Sequence, residues 1–191
     1  KLISFEDGMH DLIKHICKSL RKTKISTDQK VIEIQKQPST WKIICQDSNG
    51  GFSEFECDEI ISTIPTNKLL EIKWSGITLK DKINDLNQST YFPLNLVFFG
   101  IDATEIKHPL DGFGFLVPEK EDFSILGTLF SSSLFPNRAP SGKVLLTTFI
   151  GGERMPDIAS VSSDVIYNIV QDDLSKLIGL NSNPEFMDIK R

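Results

Sequence analysis

The sequence has 191 residues, of which 39% are hydrophobic and 25% are charged, and its formal net charge is −5. This composition is typical of a folded protein and excludes a disordered chain, while the lack of a lysine- and arginine-rich stripe argues against nucleic-acid binding. Apolar runs stay well short of the roughly 18 residues of a membrane span. Three cysteines without a close pair, and three scattered histidines, predict neither a disulfide framework nor a metal site.

The first half of the chain predicts one helix followed by strands. Met9, Leu12, Ile13, Ile16 and Leu20 recur at helical spacing, which predicts an amphipathic helix over residues 7–20. Alternating polarity predicts strands at 30–37, 41–46 and 52–56. The apolar run at 60–64 ends before a proline and is typical of a buried, parallel strand.

The second half predicts an antiparallel sheet with flanking helices. Residues 79–86 favour a short helix, and strands are predicted at 94–100, 113–117, 124–130 and 144–150, with a loop at 131–142. A helix beginning at Ser162 or Ser163 should run to about residue 178. We expect its apolar side, Val165, Ile169, Leu174 and Leu177, to pack on one sheet face through the Val165 and Ile169 stripe.

Two glycines flank Phe113 where the strand at 113–117 opens. Glycine within a strand costs stability and often marks a bulge or the close approach of another group to the backbone. Alternation places Phe113, Phe115 and Val117 on one face, and Gly114 and Leu116 on the other. Gly114 would then leave a flat patch of backbone on which a planar apolar ligand fits. A barrel corner or a sheet crossing is the alternative, and the pattern alone favours it.

Three blocks of this sequence resemble the protoporphyrinogen oxidase family in wording, order and spacing. Residues 112–118, 125–140 and 145–152 read GFGFLVP, ILGTLFSSSLFPNRAP and LLTTFIGG. Residues 4–9, SFEDGM, resemble the family's entry to a helix, and residues 58–65, DEIISTIP, resemble its strand returning to the flavin domain. The resemblance extends over nearly the whole chain.

The resemblance implies part of an oxidase that uses FAD and O2 to convert protoporphyrinogen IX to protoporphyrin IX in haem biosynthesis. It implies that the tetrapyrrole lies against Phe113, Gly114, Leu116, Leu129 and Phe149. None of these is an acid or a base, so we name no catalytic residue, as expected where the cofactor carries the chemistry. For the cofactor, the resemblance points to Val31, Thr63 and Pro65.

The resemblance also implies a fold of the α+β class and a domain division. Residues 1–70 are expected to be part of a FAD-binding domain. Residues 71–191 are expected to form the substrate-binding domain, with an antiparallel mixed sheet at about 90–150 and a helix at about 162–178. We expect the remainder of the parent chain as a partner. The expected location is the cytoplasm, with peripheral contact of the complete enzyme to the inner membrane, although an organelle is an alternative.

Several features of the family are missing from this sequence. The Gly-x-Gly-x-x-Gly unit, the C-terminal flavin segment, the membrane-associating helices and the basic residue used for a substrate propionate do not occur in it. Asp7 and His10 differ from the commoner residues of the entry motif. Since Lys1 is not an initiating methionine, we expect the sequence to be an internal fragment. Because the glycine unit and the C-terminal flavin segment are missing, we expect this piece alone to bind FAD weakly or not at all.

Two other functions remain open from the sequence. One is a non-catalytic module that binds a tetrapyrrole or pairs with another chain. The other is a related flavin oxidase that acts on coproporphyrinogen or on an amine. The flanking reading frame would separate a module from an enzyme, and substrate assays would separate the two enzymes.

Overall fold

The computed structural model describes residues 3–77 and 90–191. They form two compact units: one comprises Lys14–Tyr91, and the other joins Lys1–Ile13 to Phe92–Arg191. These units group the first residues of the chain with its second half, and the unit that begins at Lys14 extends to Tyr91. The assignment of residues 1–70 to a FAD-binding domain and 71–191 to a substrate-binding domain stays a prediction. The helix predicted at 79–86 lies outside the described residues.

Helix α1, His10–Ser19, begins three residues later than predicted. A turn precedes it, in which the N–H of Gly8 donates to the carbonyl of Phe5 at 3.0 Å. No residue of α1 is buried, and the apolar side chains of Met9, Ile13 and Ile16 are about half exposed. The apolar side of α1 is therefore without cover in the part of the chain that the structure describes.

The Lys14–Tyr91 unit is built on a four-stranded sheet. Its strands are β1 Lys30–Lys36, β2 Trp41–Gln46, β3 Phe52–Cys57 and β4 Lys73–Ser75. They lie in the order β3-β2-β1-β4, with antiparallel pairs except for the parallel pair of β1 and β4. The Asp47 carboxylate accepts from the N–H groups of Asn49 and Gly51, which closes the turn between β2 and β3.

The prediction of a buried strand at 60–64 is wrong. These residues have no regular structure, and Ile61 is 89% exposed. A parallel strand needs a partner strand beside it, and none lies next to 60–64 among the described residues. The parallel place beside β1 belongs instead to β4, which follows helix α2, Thr66–Glu71. Neither α2 nor β4 was predicted.

The second unit holds a five-stranded antiparallel sheet. Its strands are β5 Leu94–Asp102, β6 Gly114–Leu116, β7 Ile125–Phe130, β8 Lys143–Gly151 and β9 Phe186–Lys190. Their order is β6-β7-β8-β5-β9. The four predicted strands are present, and β9 adds an edge strand that was not predicted. The predicted loop at 131–142 contains the short helix α3, Ser131–Leu134.

Helix α4, Ser163–Ile178, covers one face of this sheet. Ile166, Val170 and Leu174 are fully buried against side chains from β5, including Phe99. The predicted stripe through Val165 was wrong, because that side chain is 45% exposed and the buried row starts one residue later. Ile169 and Leu177 flank the buried row rather than forming its centre.

A buried carboxylate joins α4 to β7. One oxygen of Asp173 accepts from the N–H groups of Ser124 and Ile125, at 2.8 and 3.1 Å. These two N–H groups lie at the start of β7, so the side chain satisfies donors that the sheet leaves free. Asp173 thereby fixes the position of the helix along the strand.

Candidate functional site

The sheet face opposite α4 carries most of the side chains that the sequence assigned to a ligand. In the strand register, Gly114 lies opposite Leu129, and Leu129 lies opposite Thr147. Paired residues point to the same side of a sheet, as do residues two apart on one strand. We define the open face by the side chains that this pattern places together: Leu96, Phe98, Leu116, Leu129, Thr147 and Phe149.

The structure brings four of the five predicted ligand residues together. Gly114, Leu116, Leu129 and Phe149 occupy three neighbouring strands of the open face. Leu116 is 86% exposed, whereas Leu129 and Phe149 are partly buried and Thr147 is buried, so Leu116 is the member of this face most open to a partner or ligand. Phe113 precedes β6 and is half exposed, and its carbonyl accepts from the N–H of Phe130.

Glycine is required at two positions of this face by the approach of β6 to β7. Gly114 has φ +142°, and a Cβ atom there would lie 2.1 Å from the carbonyl oxygen of Thr128. A Cβ atom at Gly127 would lie 2.5 Å from the carbonyl oxygen of Phe115. Close contact between β6 and β7, which are paired neighbours in one sheet, therefore accounts for both glycines. It also leaves bare backbone between Leu116 and Leu129, where ligand contact stays a prediction.

Hydroxyl groups interrupt the apolar surface beside Leu129. The hydroxyls of Ser131 and Thr147 are 2.8 Å apart, and the hydroxyl of Ser132 accepts from the N–H of Leu145 at 3.0 Å. These bonds continue the pairing of β7 with β8 into the first turn of α3. Sequence reasoning missed them, although the run of serines at 131–133 was the available signal.

One end of the open face leads into an apolar cleft of about 410 Å³, which we call the Arg138 cleft. Its walls include Gly100, Leu145 and Phe186, and the Arg138 side chain also lines it. Lys143 and Glu185 line it too, and the Lys143 ammonium donates to the carboxylates of Asp102 and Glu185. Two bonds from Thr104 and one from Lys143 hold the pKa of Asp102 at about 2, and the two carboxylates raise the pKa of Lys143. No motif or pattern in the sequence predicted this cleft.

The predicted cofactor residues are only partly brought together. Val31 and Ile64 line a cleft of about 370 Å³ in the Lys14–Tyr91 unit. Strand β4 pairs with β1 only from Glu33 onward, so among the described residues no strand pairs with β1 at Val31 on that side. Backbone groups beside apolar walls fit a planar aromatic ring with polar edges. Thr63 and Pro65 flank Ile64 in sequence, are exposed, and are not among the lining residues.

Residues 3–77 and 90–191 also lack two other kinds of feature. Within those ranges, no group of three or more histidine, cysteine, aspartate or glutamate side chains is arranged to hold a metal ion. No helix there has the length and apolar character to cross a membrane.

Comparison with known proteins finds relatives that share one name. The chain is 35% identical over 189 residues to protoporphyrinogen oxidase 2 of Arabidopsis thaliana, which covers 95% of the chain and 37% of that protein. It is 35% identical over 198 residues to the mitochondrial protoporphyrinogen oxidase of Nicotiana tabacum, covering 97% of the chain and 39% of that protein. The chain therefore spans about two fifths of the length of these relatives.

A solved structure shares the fold. A crystal structure of a protein from Exiguobacterium sp. 255-15 superposes with a TM-score of 0.80 at 21% sequence identity, covering 98% of this chain and 39% of that one. The family model described as flavin containing amine oxidoreductase matches residues 1–191. With the full length of the chain matched and its sheets shared with a solved structure, the chain belongs to the flavin containing amine oxidoreductase family.

Proposed function

We propose that this chain supplies the substrate-binding wall of an FAD-dependent oxidase that converts protoporphyrinogen IX to protoporphyrin IX with O2. The observation that supports this proposal is the open face, where Leu116, Leu129 and Phe149 surround a patch of bare backbone at Gly114. A broad, flat apolar surface is suited to a tetrapyrrole ring. The plant relatives that match the chain at 35% identity carry the name of this activity.

The open face would orient the substrate rather than react with it. Its side chains are apolar or hydroxylic and carry no charge, so they suit a reaction in which the protein positions the substrate and the cofactor carries the chemistry. When bound, FAD would supply the hydride acceptor. Leu129 and Phe149 would hold the ring and displace water from it, since burying their surface against the ring is favourable.

Part of the cofactor site would lie in the other unit. The cleft beside Val31 has apolar walls and an unpaired strand edge, and these features fit an aromatic ring with hydrogen-bonding edges. We propose that Val31 would hold FAD there, with Thr63 and Pro65 close to the cofactor as the sequence predicted.

The proposal is tested by Leu129→Ala in the protein expressed from the complete reading frame. Removing this side chain should raise the KM for protoporphyrinogen IX, and the Kd of protoporphyrin IX, about tenfold, because a lost apolar contact costs about 1–3 kcal/mol. The matched control is Leu177→Ala, which shortens a half-buried leucine on α4 at the opposite face. It should lower the melting temperature without changing KM.

Two outcomes would contradict the proposal. An unchanged KM in Leu129→Ala would remove the open face from the substrate site. Turnover of coproporphyrinogen in place of protoporphyrinogen by the unaltered protein would keep the enzyme class and replace the substrate.

A further inference from the structure

Strand β6 is the part of the open face that lies at the edge of the sheet. It has three residues, Gly114–Leu116, and pairs with β7 alone. It also carries Leu116, the side chain of the open face that is most exposed to solvent. The position of Leu116 therefore depends on the contacts that hold the ends of this short strand.

Leu116 lies over a residue that has no side chain. Its partner in the strand register is Gly127, and the Cδ2 atom of Leu116 lies 3.0 Å from the position that a Cβ atom of Gly127 would take. Because glycine has no side chain, the residue paired with Leu116 does not fix it by side-chain packing. The backbone of β6 thus determines where Leu116 lies on the open face.

Arg154 holds the backbone of β6 one residue beyond Leu116. It lies in the turn that follows β8, and its side chain is partly buried. Both terminal nitrogens of its guanidinium donate to the carbonyl of Val117, each at 3.1 Å. Hydrogen bonds from a charged donor are about twice as strong as those between neutral groups. Arg154 therefore ties the end of β6 to the end of β8.

The carbonyl of Val117 lies where β6 leaves the sheet. The N–H of Val117 donates to the carbonyl of Leu126 at 2.9 Å. The next residue, Pro118, has no N–H group to continue the pairing, and residues 118–122 are exposed. Arg154 thus acts at the point where backbone pairing between β6 and β7 ends.

We propose that Arg154 is a positioning residue for the tetrapyrrole substrate. By holding the carbonyl of Val117, it would keep the end of β6 against β7 and so place Leu116 where that side chain meets the ring. The inference rests on the proposed function and extends it to a side chain that belongs to neither the open face nor the Arg138 cleft. Arg154 would act through Leu116 and would not itself touch the ligand.

A double-mutant cycle with Leu116 tests the inference in the protein expressed from the complete reading frame. Leu116→Ala should raise the Kd of protoporphyrin IX, titrated by fluorescence, about tenfold, because it removes an apolar contact. Arg154→Met keeps the length of the side chain and removes its donors, and it should raise the Kd about fivefold by displacing Leu116. In the Leu116→Ala background, Arg154→Met should change the Kd less than about twofold, since the side chain that it positions is absent.

A second substitution and a matched control accompany the cycle. Arg154→Lys keeps the charge and loses the paired donors, so it should raise the Kd less than Arg154→Met does. Leu177→Ala, on the opposite side of the sheet, should lower the melting temperature at least as much as Arg154→Met and leave the Kd unchanged. Loss of stability by itself would then not account for the effect of Arg154.

Hydrogen exchange in the same variants measures the position of β6 directly. Arg154→Met should speed exchange of the Val117 amide, which donates to Leu126, and leave the amides within β8 unchanged.

Additive effects of Leu116→Ala and Arg154→Met on the Kd would overturn the inference, because Arg154 would then act on binding by another route. An unchanged Kd in Arg154→Met would overturn it as well, even if the Val117 amide exchanged faster. Failure of the proposed function gives a different result, in which Leu116→Ala and Leu129→Ala both leave porphyrin binding unchanged.

Discussion

At position 114 the two neighbouring strands leave room for a hydrogen atom and for no larger group. The positive φ of Gly114 is one that side-chain-bearing residues rarely adopt, and its missing Cβ would overlap the carbonyl of Thr128. Gly112, two residues earlier, has no such neighbour: its nearest atom to a Cβ position is 4.0 Å away. Gly114 is therefore required by its backbone conformation and its contact with Thr128, whereas the surroundings of Gly112 leave room for a side chain.

The difference predicts that substitution by alanine destabilises the fold at position 114 and has little effect at position 112. Gly114→Ala should lower the free energy of unfolding by about 2 kcal/mol or more, because strain and overlap add. Gly112→Ala should change it by less than about 0.5 kcal/mol. Urea unfolding followed by circular dichroism measures both. Equal stability of the two variants would show that β6 separates from β7 without cost.

Among the elements, α4 is held to the sheet by both apolar packing and the Asp173 carboxylate. Its buried row, Ile166, Val170 and Leu174, sets the distance from the sheet, while Asp173 sets its position along β7. The C-terminal residue of α4 is followed by Gly179 in the left-handed conformation, which ends the helix.

Asp173→Ala should destabilise the fold by about 3 kcal/mol, because the N–H groups of Ser124 and Ile125 would be left without a partner near the core. The adjacent Asp172→Ala removes an exposed carboxylate and should cost less than about 0.5 kcal/mol. Thermal unfolding of the pair compares them directly. Similar midpoints for the two variants would mean that water replaces Asp173 at the start of β7.

Prediction of helices and strands from the sequence succeeded where one hydrophobic period dominates a segment. It failed where pairing or packing with neighbouring segments determines the structure. Strands β1 and β2 were predicted because polar and apolar residues alternate along them. Strand β9 was missed since an edge strand is fixed by pairing with β5 rather than by its own composition. The run at 60–64 has the composition of a strand, but no partner strand lies beside it among the described residues. The buried row of α4 was misplaced by one residue because its sequence offers two adjacent apolar rows.

The sequence and the structure identified different residues of the candidate site. The resemblance named Leu116, Leu129 and Phe149 by their motifs, and the strand register places them side by side. Arg138 drew no attention in the sequence because its significance depends on which groups surround it. Those groups include Ser4 and Phe5, more than 130 residues away in the chain. Long-range contacts of this kind leave no local pattern.

At the scale of the whole molecule, each unit contains a carboxylate whose pKa is held at about 2. Glu33 accepts hydrogen bonds from Ser75 and Lys73, which join β1 to β4, and from Gln35 on β1 itself. Asp102 accepts from Thr104 and Lys143 in the other unit. Both groups ionise more readily in the folded chain than in the unfolded chain, where carboxyl groups titrate near pH 4. Their contribution to stability is therefore present above pH 4.5 and is lost as the pH falls toward 2.

The combined substitution Glu33→Gln and Asp102→Asn should flatten the loss of stability between pH 4.5 and 2. Above that window, the variant should be less stable than the unaltered chain because it lacks both ionised acceptors. Urea midpoints measured at intervals from pH 2 to 7 provide the comparison. Parallel pH profiles for the two proteins would show that other carboxylates control acid unfolding.

The glycines that bring β6 against β7 have a consequence for redesign of the open face. Because the backbone there tolerates no added atom, positions 114 and 127 offer little freedom for substitution. Variation can concentrate on the side chains around them, at 116, 129 and 149. A mutant library of this face would thus be smaller and richer in folded members if it held both glycines constant.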